Sequence, residues 1–335
     1  MTPIARLTVL LLLAISCFGA KNLEMYFIDV EGGQATLIVA PSGESLLVDT
    51  GWPGFGGRDA DRIVAVAKKT AKLKRIDYVL ITHHHRDHVG GAAALAERFN
   101  IGTFVDHGPN VESDKGAKEM DAIYAKALAT SKHTVVKPGD AIPVKGLTIT
   151  VVAANGEHIQ QALPGAGQPN PACSGVPLKE QDPTENARSV GFVLSWNAFR
   201  FVDLGDLTWN KEMDLVCPNN LLGTVSLYLT THHGMDASNS PAIVQALHPK
   251  VAIMNNGARK GGSPSAWNVV RNSPGLEDLW QIHFAVAGGK EANSPDTFIA
   301  NIDEACEGKW LHVSVASDGQ FTVTNSRNKF SKTYR

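Results

Sequence analysis

A stretch of six residues, His83 to His88, constrains this chain more than any other part of its sequence. It carries four histidines and one aspartate. The apolar run of residues 76–81 comes directly before it and predicts a buried strand, and residues 92–99 after it predict a helix. We therefore expect these side chains on the loop at the carboxyl end of a strand, where open α/β sheets place their sites.

The spacing within this stretch predicts a metal centre. Alternate side chains of a tight turn point to the same side, so His83 and His85 are expected to bind one metal ion. Asp87 and His88 would then face a second ion, whereas the residues between them alternate out of the pattern. Imidazole nitrogen and carboxylate oxygen suit Zn²⁺ and also Fe or Mn.

Three further motifs accompany the first. His83-x-His85-x-Asp87-His88 resembles the first motif of the metallo-β-lactamase-fold hydrolases. Gly205-Asp206 and His232-His233-Gly234, each after an apolar strand pattern, are similar to motifs of the competence-protein (ComEC-like) branch of that superfamily. The run of residues 28–35 is similar to the opening of the same branch.

The resemblance implies a fold and a set of site residues. The fold is an α/β sandwich of four layers, αββα, with two mixed sheets face to face, helices outside and the site at one edge. The cofactors it implies are two divalent metal ions, most readily Zn, with Fe or Mn as alternatives, and Asp206 would bridge them. It assigns metal binding to His83, His85, Asp87, His88, His158, Asp206 and His233, catalysis to Asp87 and His232, and support of the ligands from behind to Asp49.

Two assignments remain open on the sequence alone. The third ligand of the first metal ion is His158, which follows a strand in a loosely matching turn, or His107, which also ends a strand. In some competence-protein relatives this region has an N-x-x-S pattern, so Asn186 is a further alternative. Of the adjacent pair, His233 is the expected ligand, and His232 would hydrogen-bond a substrate oxygen or relay a proton.

Composition narrows the class of substrate. The chain has 335 residues, of which 31 are basic and 33 acidic, for a formal charge of −2. Nucleic-acid binders usually carry a basic face, so long nucleic acid is an unfavoured partner. A small-molecule or cell-wall substrate fits better, and the oligomeric state stays open.

The amino terminus resembles a targeting segment. Residues 7–15 form a short apolar run after Arg6, which predicts a signal peptide over residues 1–20 and one domain over residues 21–335. We therefore expect a secreted or periplasmic protein. Residues 13–17 loosely resemble a lipoprotein box, so lipidation of Cys17 is an alternative. No later stretch predicts a membrane span.

Three cysteines follow the targeting segment. In an oxidising compartment two of them can pair, and Cys173 with Cys306 is the pair that we expect, which leaves Cys217 free. No C-x-x-C spacing indicates a thiolate metal site. Four histidines without a paired context are expected to be structural: His133, His248, His283 and His312.

Residues 161–185 contain five prolines and several glycines and predict a long irregular loop. A loop of this length in a compact domain is usually functional or disordered, so we expect it over the mouth of the site.

Together these features predict a secreted hydrolase in which a metal-bridging hydroxide attacks the substrate. Phosphodiesters or related esters are the expected substrates, because the branch that the motifs resemble includes phosphodiesterase-like members. The alternatives are a β-lactam or lactone hydrolase and an iron-dependent oxidoreductase on the same fold.

Overall fold

The computed structural model describes residues 21–335, which form two β-sheets and the helices that cover them. The predicted signal peptide and Cys17 lie outside these residues. The strands are β1 Leu23–Phe27, β2 Thr36–Val39, β3 Ser45–Val48, β4 Ile76–Leu80, β5 Ile101–Asp106, β6 Lys132–Val135, β7 Thr148–Ala154, β8 Glu157–His158, β9 Gly191–Trp196, β10 Phe199–Asp203, β11 Leu227–Leu229, β12 Val251–Met254, β13 Asp278–His283, β14 Ile299–Asn301, β15 Leu311–Val315, β16 Phe321–Asn325 and β17 Ser331–Tyr334.

The α-helices lie between the strands in the chain. They are α1 Arg58–Ala65, α2 Arg86–Val89, α3 Ala92–Arg98, α4 Lys115–Leu128, α5 Trp209–Val216, α6 Pro241–Leu247 and α7 Pro264–Arg271. A wider helical turn, Val66–Thr70, continues α1. No helix within residues 21–335 combines the length and the apolar character that crossing a bilayer would require.

Each sheet combines antiparallel and parallel strands. The first has nine strands in the order β17-β16-β15-β1-β2-β3-β4-β5-β6, and the second has eight in the order β14-β13-β12-β11-β10-β9-β7-β8. β3 to β6 run parallel in the first sheet, and β10 to β14 run parallel in the second. The carboxyl ends of neighbouring parallel strands lie at the same edge, so the loops after β3 and β4, and those after β10 and β11, are neighbours.

Apolar side chains on both faces of each sheet explain the layering. Phe27 and Ile38 from the first sheet pack against Phe192 and Phe201 from the second, in the core between the sheets. Helices α1, α3 and α4 cover the outer face of the first sheet, and α5, α6 and α7 cover that of the second. The layers are therefore helix, sheet, sheet, helix, and the predicted αββα sandwich is confirmed.

The predicted disulfide is wrong. Cys173 pairs with Cys217, at a Cα–Cα distance of 5.8 Å, and Cys306 is the free cysteine among the described residues. The reason is local: the long loop folds back so that Asn170 donates its backbone N–H to the carbonyl of Pro218, 2.9 Å away. This contact brings Cys173 beside the end of α5, whereas Cys306 lies after β14 and contacts Asp29.

Candidate metal centre

Four buried side chains meet where the loops after β4, β10 and β11 converge. The Nε2 atom of His88 lies 3.2 Å from Oδ2 of Asp87 and 3.2 Å from Oδ2 of Asp206. The Nε2 atom of His233 lies 3.1 Å from Oδ2 of Asp87 and 3.3 Å from Oδ1 of Asp206. Two imidazoles and two carboxylates thus direct donor atoms at one small volume.

A second group of donors adjoins the first and shares Asp206. The Nε2 atom of His83 lies 3.0 Å from Nδ1 of His85 and 4.0 Å from Oδ2 of Asp206. The Nε2 atom of His232 lies 3.4 Å from the same oxygen of Asp206. The two oxygens of Asp206 face different histidines, which is the arrangement that a ligand shared by two cations needs. That Asp206 bridges two ions stays a prediction.

Asp49 contacts His88 directly, and it reaches His83 through the hydroxyl of Thr82, which lies 3.1 Å from Nδ1 of His83. Its carboxylate accepts hydrogen bonds from Nδ1 of His88 at 2.7 Å, from the backbone N–H of Thr82 at 2.8 Å and from the hydroxyl of Thr82 at 2.7 Å. The contact with Nδ1 leaves Nε2 of His88 free to face the centre. A carboxylate behind a ligand histidine fixes the orientation and the tautomer of the ring.

The segment that carries His232 and His233 has an unusual backbone. Both residues have φ near 55°, in the left-handed region that costs about 1–3 kcal/mol for residues other than glycine. Gly234 follows with φ 74°, and a Cβ atom there would lie 2.6 Å from Cε of Met254. Two hydrogen bonds hold the turn, from the N–H of His232 to Gly205 and from the N–H of Gly262 to His233. Such strain is typical of functional sites.

Burial and charge fix the protonation of the centre. Burial lowers the pKa of His83 well below its usual range, and the nearby charge of His88 adds to this. Burial would raise the pKa of Asp87 and of Asp206, but the imidazoles around them hold both well below the usual range. Burial opposes the charge of His88, yet the carboxylates of Asp206, Asp87 and Asp49 raise its pKa well above the usual value. The two carboxylates are therefore anionic, which is the form that binds a divalent ion, and such an ion would displace the proton that they stabilise on His88.

The donor set fits divalent metal ions. Imidazole nitrogens and carboxylate oxygens are ligands of Zn²⁺, Fe and Mn. In addition, Oδ1 of Asp206 is buried and accepts no hydrogen bond from the described residues. This oxygen lies 3.3 Å from Nε2 of His233 without a hydrogen bond of good geometry, so a cation bound there would stabilise it.

The structure does not bring His158 to this centre. β8 pairs with β7 at the end of the second sheet, with Ala153 opposite His158, and Nε2 of His158 contacts the amide of Gln160 at 3.3 Å. The tight turn at Asn155 and Gly156, with φ 50° and 79°, folds β8 back along β7 at this edge. The assignment of His158 as a metal ligand therefore has no support in the contacts of the described residues.

His107 and Asn186 also lie outside the donor groups. Nε2 of His107 lies 2.9 Å from Oε2 of Glu185, and Asn186 lies in the short helical turn Glu185–Arg188. His232 lies beside Asp206 instead, with its Nε2 atom 3.4 Å from Oδ2 of Asp206. Of the adjacent pair, His233 has the two carboxylate contacts of a ligand, and His232 is its expected neighbour.

The sequence patterns missed two charged residues of the site. Glu185 accepts the backbone N–H of His84 at 3.0 Å and that of Val111 at 2.7 Å, and it thereby holds the histidine loop. Lys260 contacts the carboxylate of Asp87 and lies 5.0 Å from the ring centroid of Trp52. Neither residue stands in a motif, because each reaches the centre from a loop that is distant in sequence.

The sequence predicts that the long loop of residues 161–185 lies over the mouth of the site, and only its second half approaches a segment of the site. Its first half pairs with the loop after α5, through the N–H of Leu163 to Leu221 and that of Gly167 to Asn220. Its second half approaches the segment after His233, where Lys179 contacts the carbonyl of Asp236 and lies 3.8 Å from the ring centroid of Trp209. A role of this loop in substrate choice stays a prediction.

Parts of this chain are similar in sequence to known proteins. Residues 28–181 match the model of the Metallo-beta-lactamase superfamily. ComE operon protein 3 of Bacillus subtilis (strain 168) is 25% identical over 265 residues, which cover 75% of this chain and 30% of that protein. A hydroxyacylglutathione hydrolase of Acidiphilium cryptum (strain JF-5) is 29% identical over 136 residues, which cover 41% of this chain and 46% of that protein. The chain thus spans less than half the length of each.

Among solved structures, the metallo-beta-lactamase fold protein YhfI from Bacillus subtilis aligns with 78% of this chain and 96% of its own, at 10% identity and a TM-score of 0.47. The match to the metallo-β-lactamase superfamily thus covers residues 28–181, which include the histidine loop. The similarity to ComE operon protein 3 covers 75% of this chain, in line with the predicted competence-protein branch.

Proposed function

We propose that this protein is a metal-dependent hydrolase and that phosphodiesters or related esters are its substrates. The observation that carries the proposal is the sharing of Asp206 between two groups of histidine and aspartate donors. We assign one cation to His83, His85 and Asp206 and the other to Asp87, His88, His233 and Asp206. Zn²⁺ is the favoured ion at both positions. Divalent ions held there would lower the pKa of a water molecule and polarise an oxygen of the scissile bond.

The protein's own residues supply the rest of the proposed chemistry. Asp87 orients the ligands of the second group, because its Oδ2 atom contacts both His88 and His233. His232 is buried, which lowers its pKa, so its imidazole is neutral near pH 7 and can accept a proton. Its Nδ1 atom lies 3.3 Å from the hydroxyl of Ser238, a contact that orients the ring.

A positive charge at the centre favours an anionic substrate. The ammonium group of Lys260 reaches Asp87 from the loop after β12, and its side chain is 29% exposed. Trp52 lies beside it and offers an apolar surface. A cation next to an apolar ring suits a phosphoester that carries an aryl or sugar group better than it suits a neutral ester.

The test is a substrate panel with the metal-loaded protein. A bis-aryl phosphodiester, a lactone and a β-lactam are compared, and we expect turnover of the diester to exceed that of the other two. Replacement of both His85 and Asp206, as His85→Ala with Asp206→Asn, is expected to lower diester turnover by ~10³-fold or more. His248→Asn, a matched change at an exposed histidine, should leave it unchanged.

Three outcomes would contradict the proposal. Diester turnover that survives the double replacement would place the chemistry elsewhere. Lactone or β-lactam turnover above that of the diester would favour a lactone or β-lactam hydrolase. A protein that holds iron and consumes oxygen would favour an oxidoreductase.

We also propose that the protein is exported to a secreted or periplasmic location. Disulfides persist in oxidising compartments, and Cys173 with Cys217 forms one. Fractionation of cells that express the whole chain tests this, since recovery in the cytoplasm alone would contradict it.

A further inference from the structure

A second cluster of metal-binding side chains lies apart from the centre described above and shares no residue with it. It consists of Asp29, His283 and Cys306, whose donor atoms lie within 4.8 Å of one another. Asp29 follows β1, His283 ends β13, and Cys306 follows β14, so three distant segments of the chain meet there. No sequence pattern indicates this cluster, because no two of the three residues are close in sequence.

The distances within the cluster are those of a compact donor set. Nε2 of His283 lies 2.8 Å from Oδ1 of Asp29, and Sγ of Cys306 lies 3.0 Å from Oδ2 of Asp29. Sγ of Cys306 and Nε2 of His283 are 3.8 Å apart. A tetrahedral Zn²⁺ separates its nitrogen, oxygen and sulfur ligands by about 3.3–3.6 Å. The two carboxylate contacts are shorter than this range and the nitrogen–sulfur distance is longer, so the three side chains would shift by roughly 0.5 Å to bind an ion.

The burial of the three side chains indicates the side from which an ion would enter the cluster. Asp29 is fully buried, His283 is 1% exposed, and Cys306 is partly exposed, so the thiol is the side from which an ion would enter. Nδ1 of His283 is buried and has no partner among the described residues. This atom can carry the ring proton while Nε2 offers its lone pair to an ion, and the thiol of Cys306 would release its proton on binding.

Neighbouring charges hold the carboxylates in place. Arg62 of α1 contacts Oδ2 of Asp29 at 3.1 Å and Oε1 of Glu31 at 3.0 Å, and Arg58 contacts Oε2 of Glu31 at 2.6 Å. Oε1 of Glu31 lies 4.0 Å from Sγ of Cys306. Glu31 or a water molecule can therefore supply the fourth ligand of the ion.

We propose that Asp29, His283 and Cys306 bind one transition-metal ion of the Zn²⁺ or Co²⁺ type, separately from the catalytic centre. One thiolate, one imidazole and one carboxylate form a ligand set of intermediate softness, which suits Zn²⁺ far better than Mg²⁺ or Ca²⁺. The ion would tie the loop after β14 to the ends of β1 and β13. The proposal is independent of the substrate of the catalytic centre.

The thiolate gives this site a signature that the catalytic centre lacks. Thiolate ligands give Co²⁺ a strong near-ultraviolet charge-transfer band, whereas histidine and carboxylate ligands do not. In the full-length Cys17→Ser protein, with Cys173 and Cys217 oxidised, Cys306 is the remaining thiol. The experiment strips the metals from this protein with a chelator, restores Co²⁺ stepwise without reductant and records that band.

The expected result is a band whose final intensity corresponds to one Co²⁺ bound by thiolate per chain, beside the ions taken up by the catalytic centre, and that Zn²⁺ displaces. Cys306→Ser should abolish the band, and His283→Asn should weaken Co²⁺ binding at this site at least tenfold. Asp206→Asn, in the catalytic centre, should leave the band in place, and so should the exposed control His248→Asn. Circular dichroism of each variant checks its fold.

Either of two results would overturn the proposal. One is Co²⁺ uptake without a thiolate band in the folded protein. The other is a band that His283→Asn leaves at full affinity. Protection of Cys306 from a thiol reagent by Zn²⁺ in the Cys17→Ser protein is a second measurement. An unchanged labelling rate would contradict the site without any ligand replacement.

Discussion

Glu185 is a buried carboxylate that holds the histidine loop. It is fully buried, and its oxygens accept N–H groups of His84, Val111 and His107. Burial alone would raise its pKa, but the contacts with His107 and with the two backbone N–H groups lower it to about 2. The ionised carboxylate thus connects the end of the long loop to the loop that carries the ligands.

We predict that Glu185→Gln weakens metal binding although Glu185 itself contacts no ligand nitrogen of the centre. The amide would keep one acceptor and present an NH₂ group to a donor, so the histidine loop would lose a hydrogen bond. Loss of such support typically costs 10–100-fold in metal affinity. Competition with a chromogenic chelator measures this, and Glu180→Gln on the same loop, at an exposed position, is the control. Equal affinities for the two variants would contradict the role.

Glu212 gives a prediction about pH. It is buried in α5 and accepts the backbone N–H groups of Asn239 and Ser240, each at 2.8 Å. Burial raises its pKa from 4.5 to about 7. The folded chain therefore keeps a proton on Glu212 over a range where the unfolded chain has lost it. The resulting stability is fully present below pH 4.5 and is lost as the pH rises through about 7.

Glu212→Gln should flatten the decline of the free energy of unfolding between pH 4.5 and about 7, in urea titrations of the metal-free protein. The variant is also expected to be less stable by about 1–3 kcal/mol at low pH, because one N–H then faces an amide NH₂ group. Asp214→Asn, exposed on the same helix, is the control and should keep the wild-type slope. A slope in Glu212→Gln equal to that of the wild type would contradict the assigned pKa.

At the scale of elements, the sequence predicts best what is contiguous. His83 to His88 lie on the loop after β4 and in the short helix α2 that follows it, so their spacing alone indicates their common role. Gly205-Asp206 and His232-His233 are likewise recognised because each directly follows a strand. His158 also follows a strand, but the two-residue β8 folds back along β7 and directs it to the far edge of the sheet.

Contacts that depend on the path of irregular segments are predicted poorly from the sequence. Which cysteine meets Cys173 is decided by the way in which the loop of residues 161–185 turns back to Pro218. Whether His283 is structural or part of a cluster is decided by the loop after β14, which brings Cys306 to it. Neither path has a periodic pattern that could reveal it.

The disulfide gives a prediction at this scale. It joins two residues that are 44 apart in sequence and fixes the long loop to the end of α5. We expect the double replacement Cys173→Ser with Cys217→Ser to lower the free energy of unfolding by about 2–4 kcal/mol, since the unfolded chain gains freedom. Denaturant unfolding under non-reducing conditions measures this, and Cys306→Ser is the control, which should cost less when metal is absent. A double variant as stable as the wild type would contradict the pairing.

At the scale of the whole molecule, the candidate centre exists only because both sheets contribute to it. Asp49 and the histidine loop come from the ends of β3 and β4, whereas Asp206 and His233 come from the ends of β10 and β11. The core between the sheets, with Phe27 and Phe201 in contact, holds these ends together. Metal binding and hydrolysis are therefore expected to disappear together when the packing of the two sheets is lost.

The most direct test of a centre with two ions is elemental analysis together with turnover of a bis-aryl phosphodiester. Both are measured on the Cys306→Ser protein, which lacks the thiolate of the second site, and on the same protein with Asp206→Asn added. Because Asp206 faces both groups of donors, we predict two divalent ions per chain before this second replacement and loss of both metal and turnover after it. Full metal content and turnover in the doubly replaced protein would contradict the shared role of Asp206.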